Sequence, residues 1–227
     1  MWAHPSLDLT VVIPTHNRLS RLRETLPRLL SSSSASIRFA ISDNASNDGT
    51  LAYIRAIASV DSRVIWTRQS SNVGAVRNIL ACFEMTETKY AMVVSDDDLI
   101  VGSYLDDLLE GLRPTPDVGV LPSLFDSPRV GDHITRQFYL PGAKAAYQAF
   151  YSSGSITGLT LNFVLLQRRS SNKISTTQVL YPQVEWALQC ALDGGYLQIV
   201  GSGFRPGPWA DSTLSVAAYQ RRGLDLG

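Results

Sequence analysis

Three consecutive carboxylates, Asp96-Asp97-Asp98, are the sharpest chemical feature of the chain, set between the apolar runs Tyr90 to Val94 and Leu99-Ile100. Adjacent carboxylates repel one another, which favours protonation or a bound cation. A hard divalent metal with oxygen ligands, itself holding a diphosphate, relieves that repulsion. A solvated acidic turn or helix cap is the plain alternative. Two further clusters could act with this one. In Asp43-Asn44-Ala45-Ser46-Asn47-Asp48-Gly49-Thr50, Asp43 can accept a hydrogen bond from a nucleobase imide or from ribose hydroxyls. Asp48 and Thr50 there read instead as the turn that opens a helix. Asn72-Val73-Gly74-Ala75-Val76-Arg77-Asn78 places a glycine at a helix start, where a ligand can approach the backbone and the helix N-terminus favours anions. On its own, that stretch is equally an N-capped helix with a solvated arginine.

The elements that must position these clusters alternate between strand and helix. Leu9 to Pro14 is a β-branched apolar run, and Leu19 to Leu30 follows with Leu22, Leu26, Leu29 and Leu30 on one helical face. Ile37 to Ile41, Ser62 to Thr67 and Tyr90 to Val94 read as strands; Thr50 to Val60, Gly74 to Met85 and Gly102 to Leu112 read as helices. Such alternation predicts an α/β fold with a mostly parallel sheet flanked by helices, whose ligands sit at the carboxyl ends of the strands. Thr15-His16-Asn17-Arg18, Asp43 to Asp48 and Ser95 to Asp98 all fall at that rim. The second half is less regular. Phe138 to Phe150 holds a strand and a helix, and Ser152 to Ser155 resembles a flexible loop. Leu161 to Leu166 is a continuous apolar run expected to be a buried strand. Gln183 to Leu192 is expected to be a helix ended by Gly194-Gly195, and Tyr196 to Val200 the last strand, before a tail with an exposed-looking Trp209.

The bulk numbers narrow the classes. At 227 residues the chain can bury a substantial core as one domain. It carries 20 basic and 20 acidic residues, a balance that argues against tracking a nucleic-acid backbone but leaves room for a small phosphate ligand. Cys82 and Cys190, the two cysteines, lie in apolar helical stretches and read as buried reduced thiols. Asn44-Ala45-Ser46 matches a glycosylation acceptor only at the level of chance. Met1 to Thr10 shows no secretory pattern, and no run nears the ~20 apolar residues of a membrane span. A domain without a transmembrane segment is expected, with peripheral membrane contact left open.

Taken together, Thr10 to Arg18, Asp43 to Thr50, Asn72-Val73-Gly74 with Arg77-Asn78, and Ser95 to Asp98 resemble the inverting family-2 glycosyltransferases of the GT-A fold. The match covers roughly residues 8 to 125, and the order and spacing of the motifs both fit. The resemblance implies a Rossmann-like nucleotide-sugar-binding half (about 8–122) and an acceptor-binding half (about 123–227) in one domain. It implies that Pro14, Thr15 and Arg18 border the nucleotide and that Asp43 reads the base, with Arg77 against the base or the phosphates. Asp96 would approach the ribose beside Asp97, and Asp98 would hold Mn2+ or Mg2+ on the diphosphate. The partners implied are a nucleotide-sugar donor, first a UDP-sugar, and a saccharide or lipid-linked acceptor in cell-surface polysaccharide assembly at the cytoplasmic side.

The general base is where the chain departs from the family. Many relatives carry a Glu-Asp pair at the start of the helix before the last strand, whereas this chain has Tyr181-Pro182-Gln183-Val184-Glu185-Trp186. Register from Gly194 puts Gln183, which is no useful base, at that position. Glu185 is the nominee, and Asp193 the second. None of His4, His16 and His133 is a late histidine that could complete a metal shell. The missing pair favours, as an alternative, a non-catalytic nucleotide-sugar or glycan-binding relative. Asp96-x-Asp98 also fits haloacid-dehalogenase phosphatases, but those carry the motif on the first strand and Thr or Val where Ile100 stands. Nucleotidyltransferases of related fold need a glycine-rich basic loop after the first strand, and Pro14 to Arg18 contains no glycine.

Overall fold

The computed structural model describes residues 9–31, 36–115, 117–122, 136–153, 155–169, 181–199 and 203–208. His4, His133 and Trp209 lie outside the described residues. The first half runs β1 (Leu9–Thr15), α1 (Leu19–Ser31), β2 (Ile37–Asp43), α2 (Thr50–Ala58), β3 (Val64–Arg68), α3 (Ala75–Phe83), β4 (Tyr90–Val93), β5 (Asp98–Ile100) and α4 (Tyr104–Leu112). Then come β6 (Val120–Leu121), β7 (Arg136–Tyr139), α5 (Ala143–Ser152), β8 (Thr160–Asn162), α6 (Phe163–Arg169), α7 (Pro182–Gly194), β9 (Tyr196–Ile199) and β10 (Phe204–Pro206).

Eight strands form one sheet in the order β3-β2-β1-β4-β8-β6-β9-β7. β3, β2, β1 and β4 are mutually parallel. β8 is antiparallel to both β4 and β6, so β6 and its parallel neighbour β9 point the same way as β4. β7 closes the edge antiparallel to β9. The chain leaves β1 toward β2 on one side and returns through β4 on the other. That reversal opens a crevice at the carboxyl ends of β1 and β4, the favoured ligand position of such sheets.

Strand alternation sorts the core into two layers. Leu9, Val11 and Ile13 of β1, with Phe39, Ile41, Tyr90 and Met92, meet Leu22, Leu26, Leu29 and Ile54 of α1 and α2, and Leu105 and Leu108 of α4. On the opposite face Val12, Ala40, Ala91 and Val93 meet Ile79, Cys82 and Phe83 of α3, Ala149 of α5 and Trp186 and Cys190 of α7. The residues of the second face are small on the strands, which lets α3 lie close and Phe83 pack edge-on against Trp186 at 5.3 Å. Burying each large aliphatic side chain contributes about 1.5–3 kcal/mol, so the two layers together dominate the stability of the sheet. Both cysteines are buried and free, as their apolar settings predict.

The structure corrects two readings of the second half. Leu161 to Leu166 is not one strand: β8 ends at Asn162 and α6 begins at Phe163. Asn162 accepts the Leu165 backbone N–H on its side-chain oxygen at 3.2 Å, which turns the chain into a helix. The strand at Tyr196 is not the last, because β10 follows and pairs antiparallel with β5, setting Pro206 opposite Asp98. Of the Ser152 to Ser155 stretch, Ser152 ends α5 and Ser153 is buried. α7 has a fixed direction, because its last turn abuts the start of β6. A Cβ on Gly119 would lie 1.8 Å from the Cys190 carbonyl oxygen, and one on Gly194 would lie 2.6 Å from the Asp117 carbonyl oxygen. The last turn of α7 therefore stands at the amino edge of the sheet and its first turn points toward the carboxyl edge.

Candidate active site

Backbone and side chains of three loops are stitched together at the carboxyl ends of β1 and β2. Asn17 has φ 52° and Ala45 φ 60°, left-handed conformations that cost an alanine about 1 kcal/mol or more. The distortion brings the Ser46 N–H back to Asp43 Oδ1 at 3.1 Å and lets the Ser46 hydroxyl accept the Asn17 N–H at 2.8 Å. Asp48 accepts the Leu19 N–H at 3.0 Å with one oxygen, and the Thr50 N–H at 3.0 Å and hydroxyl at 2.6 Å with the other. It thus ties the starts of α1 and α2 to each other, the structural role expected for Asp48 and Thr50. Asn44 Oδ1 accepts the Val73 N–H at 2.9 Å, drawing in the loop before α3. Gly74 there has φ 84°, which a side chain would strain.

Asp43 is fully buried at the end of β2. Its Oδ2 has no hydrogen-bond partner; the Arg68 Nε lies 3.8 Å away. A buried acceptor left unmade costs about 1–3 kcal/mol, and a ligand N–H supplied to it recovers that cost. Pro14 is half-buried beside it, paired in register with Ser42, and Thr15 pairs with Asp43 itself. Arg77 stands exposed in the first turn of α3, while Asn78 of the same motif is buried and braces the backbone, donating to Ser42 O at 3.0 Å and Thr15 O at 3.3 Å.

The three carboxylates after β4 have different environments. Asp96 is buried and accepts the Thr15 hydroxyl at 2.6 Å, which joins the β4 tip to the β1 tip. Asp97 is engaged within the protein: Arg21 of α1 lies 3.0 Å from its Oδ2, and the Ser95 hydroxyl donates to its Oδ1. Asp98 opens β5 and accepts the Thr157 hydroxyl on Oδ2 at 2.6 Å. Thr157 Oγ1 in turn accepts the Ser95 N–H at 3.0 Å. β10 clasps the same turn, with the Gly207 N–H donating to the Asp97 carbonyl at 3.1 Å.

Burial pushes the Asp96 carboxyl up to about 6, with the Asp97 charge adding to it against the pull of the Thr15 hydroxyl, Arg18 and Arg21. Burial likewise pushes Asp98 up to about 6, with the charges of Asp97 and Asp96 adding to it against the Thr157 hydroxyl. Burial disfavours the charged form of both, and a bound cation would offset that cost as protonation does. Among the described residues no group of three or more His, Cys, Asp or Glu could hold a metal ion by itself. Asp98 Oδ1, without a hydrogen-bond partner among the described residues, is the type of oxygen donor that would suit a hard divalent cation whose other ligands come from elsewhere.

The site thus gathers Pro14, Thr15, Arg18, Asp43, Asp96, Asp97 and Asp98 at adjoining strand tips, with Arg77 at the rim. The two candidates for the base lie toward opposite ends of α7. Glu185 is in the first turn, half-buried, on the end that points to the carboxyl edge; its Oε1 accepts Gln189 Nε2 at 3.1 Å. Gln183 is buried in the same turn. Asp193 is exposed in the last turn, next to Gly194 at the amino edge, so the structure does not bring it to the aspartates. It lies eight positions along α7 from Glu185, a rise of about 12 Å. Arg21 and Thr157 carry no motif in the sequence, whereas Ser95 opens the aspartate motif. Arg21 lies on the polar side of α1, near enough to the motif to be sought as a counter-ion, whereas no sequence signal connects position 157 to position 98.

Comparison with known proteins bears on the family and the fold. The chain resembles abequosyltransferase RfbV of Salmonella typhimurium, with 32% identity over 108 residues, 43% of this chain and 32% of that protein. Its fold is that of TarS from S. aureus in complex with UDP-GlcNAc, at TM-score 0.70 and 15% identity, covering 88% of this chain and 58% of that one. It is also that of the mannosyltransferase PcManGT from Pyrobaculum calidifontis, solved with GDP-Man and Mn2+, at TM-score 0.67 and 18% identity, covering 97% of this chain and 63% of that one. The chain spans about a third of the length of the curated relative it matches. The sequence profile described as Glycosyl transferase family 2 matches residues 10–174, which takes in every motif at the strand tips, and the chain belongs to that family.

Proposed function

We propose that the chain is a metal-dependent, inverting glycosyltransferase that moves a sugar from a nucleotide-sugar donor to a saccharide or lipid-linked acceptor. The observation that carries this reading is the meeting of Asp96 and Asp98 at the tips of β1 and β4, Asp96 accepting the Thr15 hydroxyl and Asp98 the Thr157 hydroxyl, with both carboxyls raised by burial. In this reading the unpartnered Oδ2 of Asp43 accepts the imide N–H of the base, which suits uracil. Pro14 and Thr15 border the nucleotide, Asp96 faces the ribose, and Arg18 and Arg77 supply positive charge toward the phosphates. Asp98 would hold Mn2+ or Mg2+ together with the diphosphate, while Asp97, occupied by Arg21 and Ser95, shapes the turn rather than contacting the donor. The cation supplies charge that stabilises the departing diphosphate.

Glu185 removes the proton of the acceptor hydroxyl as that oxygen attacks the anomeric carbon from the face opposite the diphosphate, which inverts configuration. Residues up to about 122 form the donor half and residues from about 123 the acceptor half. The setting proposed is cell-surface polysaccharide assembly at the cytoplasmic face of a membrane; no helix among the described residues is long and apolar enough to cross one. A donor-binding relative without turnover is the second reading, favoured by Gln183 at the usual place of the base.

Thermal melts with nucleoside diphosphate, Mn2+ and both together test the donor site. Metal and diphosphate complete each other's coordination, so the joint shift exceeds either single shift. Equal shifts with and without Mn2+ contradict the role given to the aspartates. Turnover assays with an acceptor extract then separate enzyme from binding module.

A further inference from the structure

The connection between α5 and β8 belongs to the acceptor half by sequence, yet one of its side chains reaches the aspartate turn. Thr157 is 1% exposed and sits between two groups of that turn. The Ser95 backbone N–H lies 3.0 Å from Thr157 Oγ1, and Asp98 Oδ2 lies 2.6 Å from the same oxygen. A backbone amide can only donate, so the threonine oxygen accepts from Ser95. Its single proton then goes to Asp98. The polarity of the relay is fixed: Ser95 N–H to Thr157 O–H to Asp98 Oδ2. A charge-assisted bond of this length is among the stronger ones available to a carboxylate.

The consequence lies in the orientation of Asp98. With Oδ2 held by Thr157, the carboxylate cannot rotate freely, and Oδ1 has no hydrogen-bond partner among the described residues. The segment carrying Thr157 is itself locked to β4, because the Gly158 N–H donates to the Val93 carbonyl at 2.8 Å and the Val93 N–H to the Leu159 carbonyl at 3.2 Å. Thr157 is therefore aimed by the sheet and not by a free loop. Resting on the proposed function, we propose that Thr157 is a positioning residue that presents one oxygen of Asp98 to the donor-bound cation. It does so from the far side of the sheet crossover, so that cation affinity depends on the α5–β8 connection as well as on the aspartates.

The test measures the Mn2+ concentration that gives half-maximal binding of a nucleoside diphosphate, by calorimetry, after choosing the tightest of UDP, GDP, CDP and dTDP on the wild type. Thr157→Val keeps the bulk and removes the hydroxyl; Thr157→Ser keeps the hydroxyl. The expected result is a rise of about tenfold or more for Thr157→Val, the scale of one lost hydrogen bond to a charged group. Thr157→Ser stays within about threefold of wild type, and metal-free nucleotide affinity is the same in all three. If Thr157→Val does not fold, Thr157→Cys carries the test as a weak donor of similar size, with a half-maximal concentration above that of Thr157→Ser. An unchanged Mn2+ requirement in Thr157→Val or Thr157→Cys overturns the inference while leaving the proposed function standing. Equal loss in Thr157→Ser and Thr157→Val also overturns it, since packing rather than the hydroxyl would then matter. A wild type whose nucleotide binding ignores Mn2+ overturns the proposed function and this inference with it.

Discussion

Replacing Asp98 by asparagine should stabilise the metal-free protein at neutral pH even as it removes activity. The carboxyl of Asp98 is raised from its ordinary 3.8 to about 6, chiefly by burial. A group whose folded value exceeds its unfolded value binds protons more tightly in the folded state, so stability falls as pH rises from about 4 to about 6 and then levels off. At about 1.4 kcal/mol per tenfold in proton affinity, the charged form costs the fold up to about 3 kcal/mol above pH 7. Asparagine is nearly isosteric, its carbonyl still accepts the Thr157 hydroxyl, and it carries no charge. Urea unfolding with chelator at pH 8 should therefore show Asp98→Asn more stable than wild type by about 1–3 kcal/mol, or about 2–12 °C in a melt for a chain of this size. At pH 4.5, where the folded carboxyl is mostly protonated but the unfolded one is already mostly ionised, the difference should shrink to about a third of its value at pH 8. Saturating Mn2+ with nucleotide should reverse the ranking at pH 8. An Asp98→Asn protein less stable than wild type at pH 8, or equally shifted at both pH values, would refute the electrostatic account of the aspartate turn.

Three other expectations are simpler to check. Glu185→Gln should lose turnover with donor affinity retained in calorimetry, and unchanged turnover would eliminate it as the base. Asp193→Asn, at the amino edge, should leave both unchanged; a large loss of turnover would mean that α7 runs the other way. Gly119→Ala should destabilise by about 3 kcal/mol or more in urea unfolding, because the added carbon meets backbone of Cys190 that cannot move aside cheaply. A mild effect would show that α7 is not clamped onto β6.

The first half of the fold was legible in the sequence because its signals are local. Strands β1, β2 and β4 are β-branched or apolar runs that end in polar clusters, and parallel order places those clusters on one edge without further information. The rest depends on contacts far apart in the chain. β5 is three residues long and exists through its pairing with β10, about a hundred positions later. A run that is apolar but for one residue, such as Leu161 to Leu166, suits a buried strand and a buried helix alike; the asparagine inside it decides the matter by capping α6. Which end of α7 faces the strand tips is set by the close approach of Gly119 and Gly194, which periodicity does not encode. Asp97 looked equivalent to its neighbours until Arg21 and Ser95 were seen to occupy it.

Anomalous diffraction from crystals soaked with Mn2+ and a nucleoside diphosphate tests the central claim most directly. The account predicts a manganese peak bound to Asp98 and to the diphosphate, with the base at Asp43. A nucleotide bound away from the β1 and β2 tips, or manganese that avoids Asp98, would contradict it.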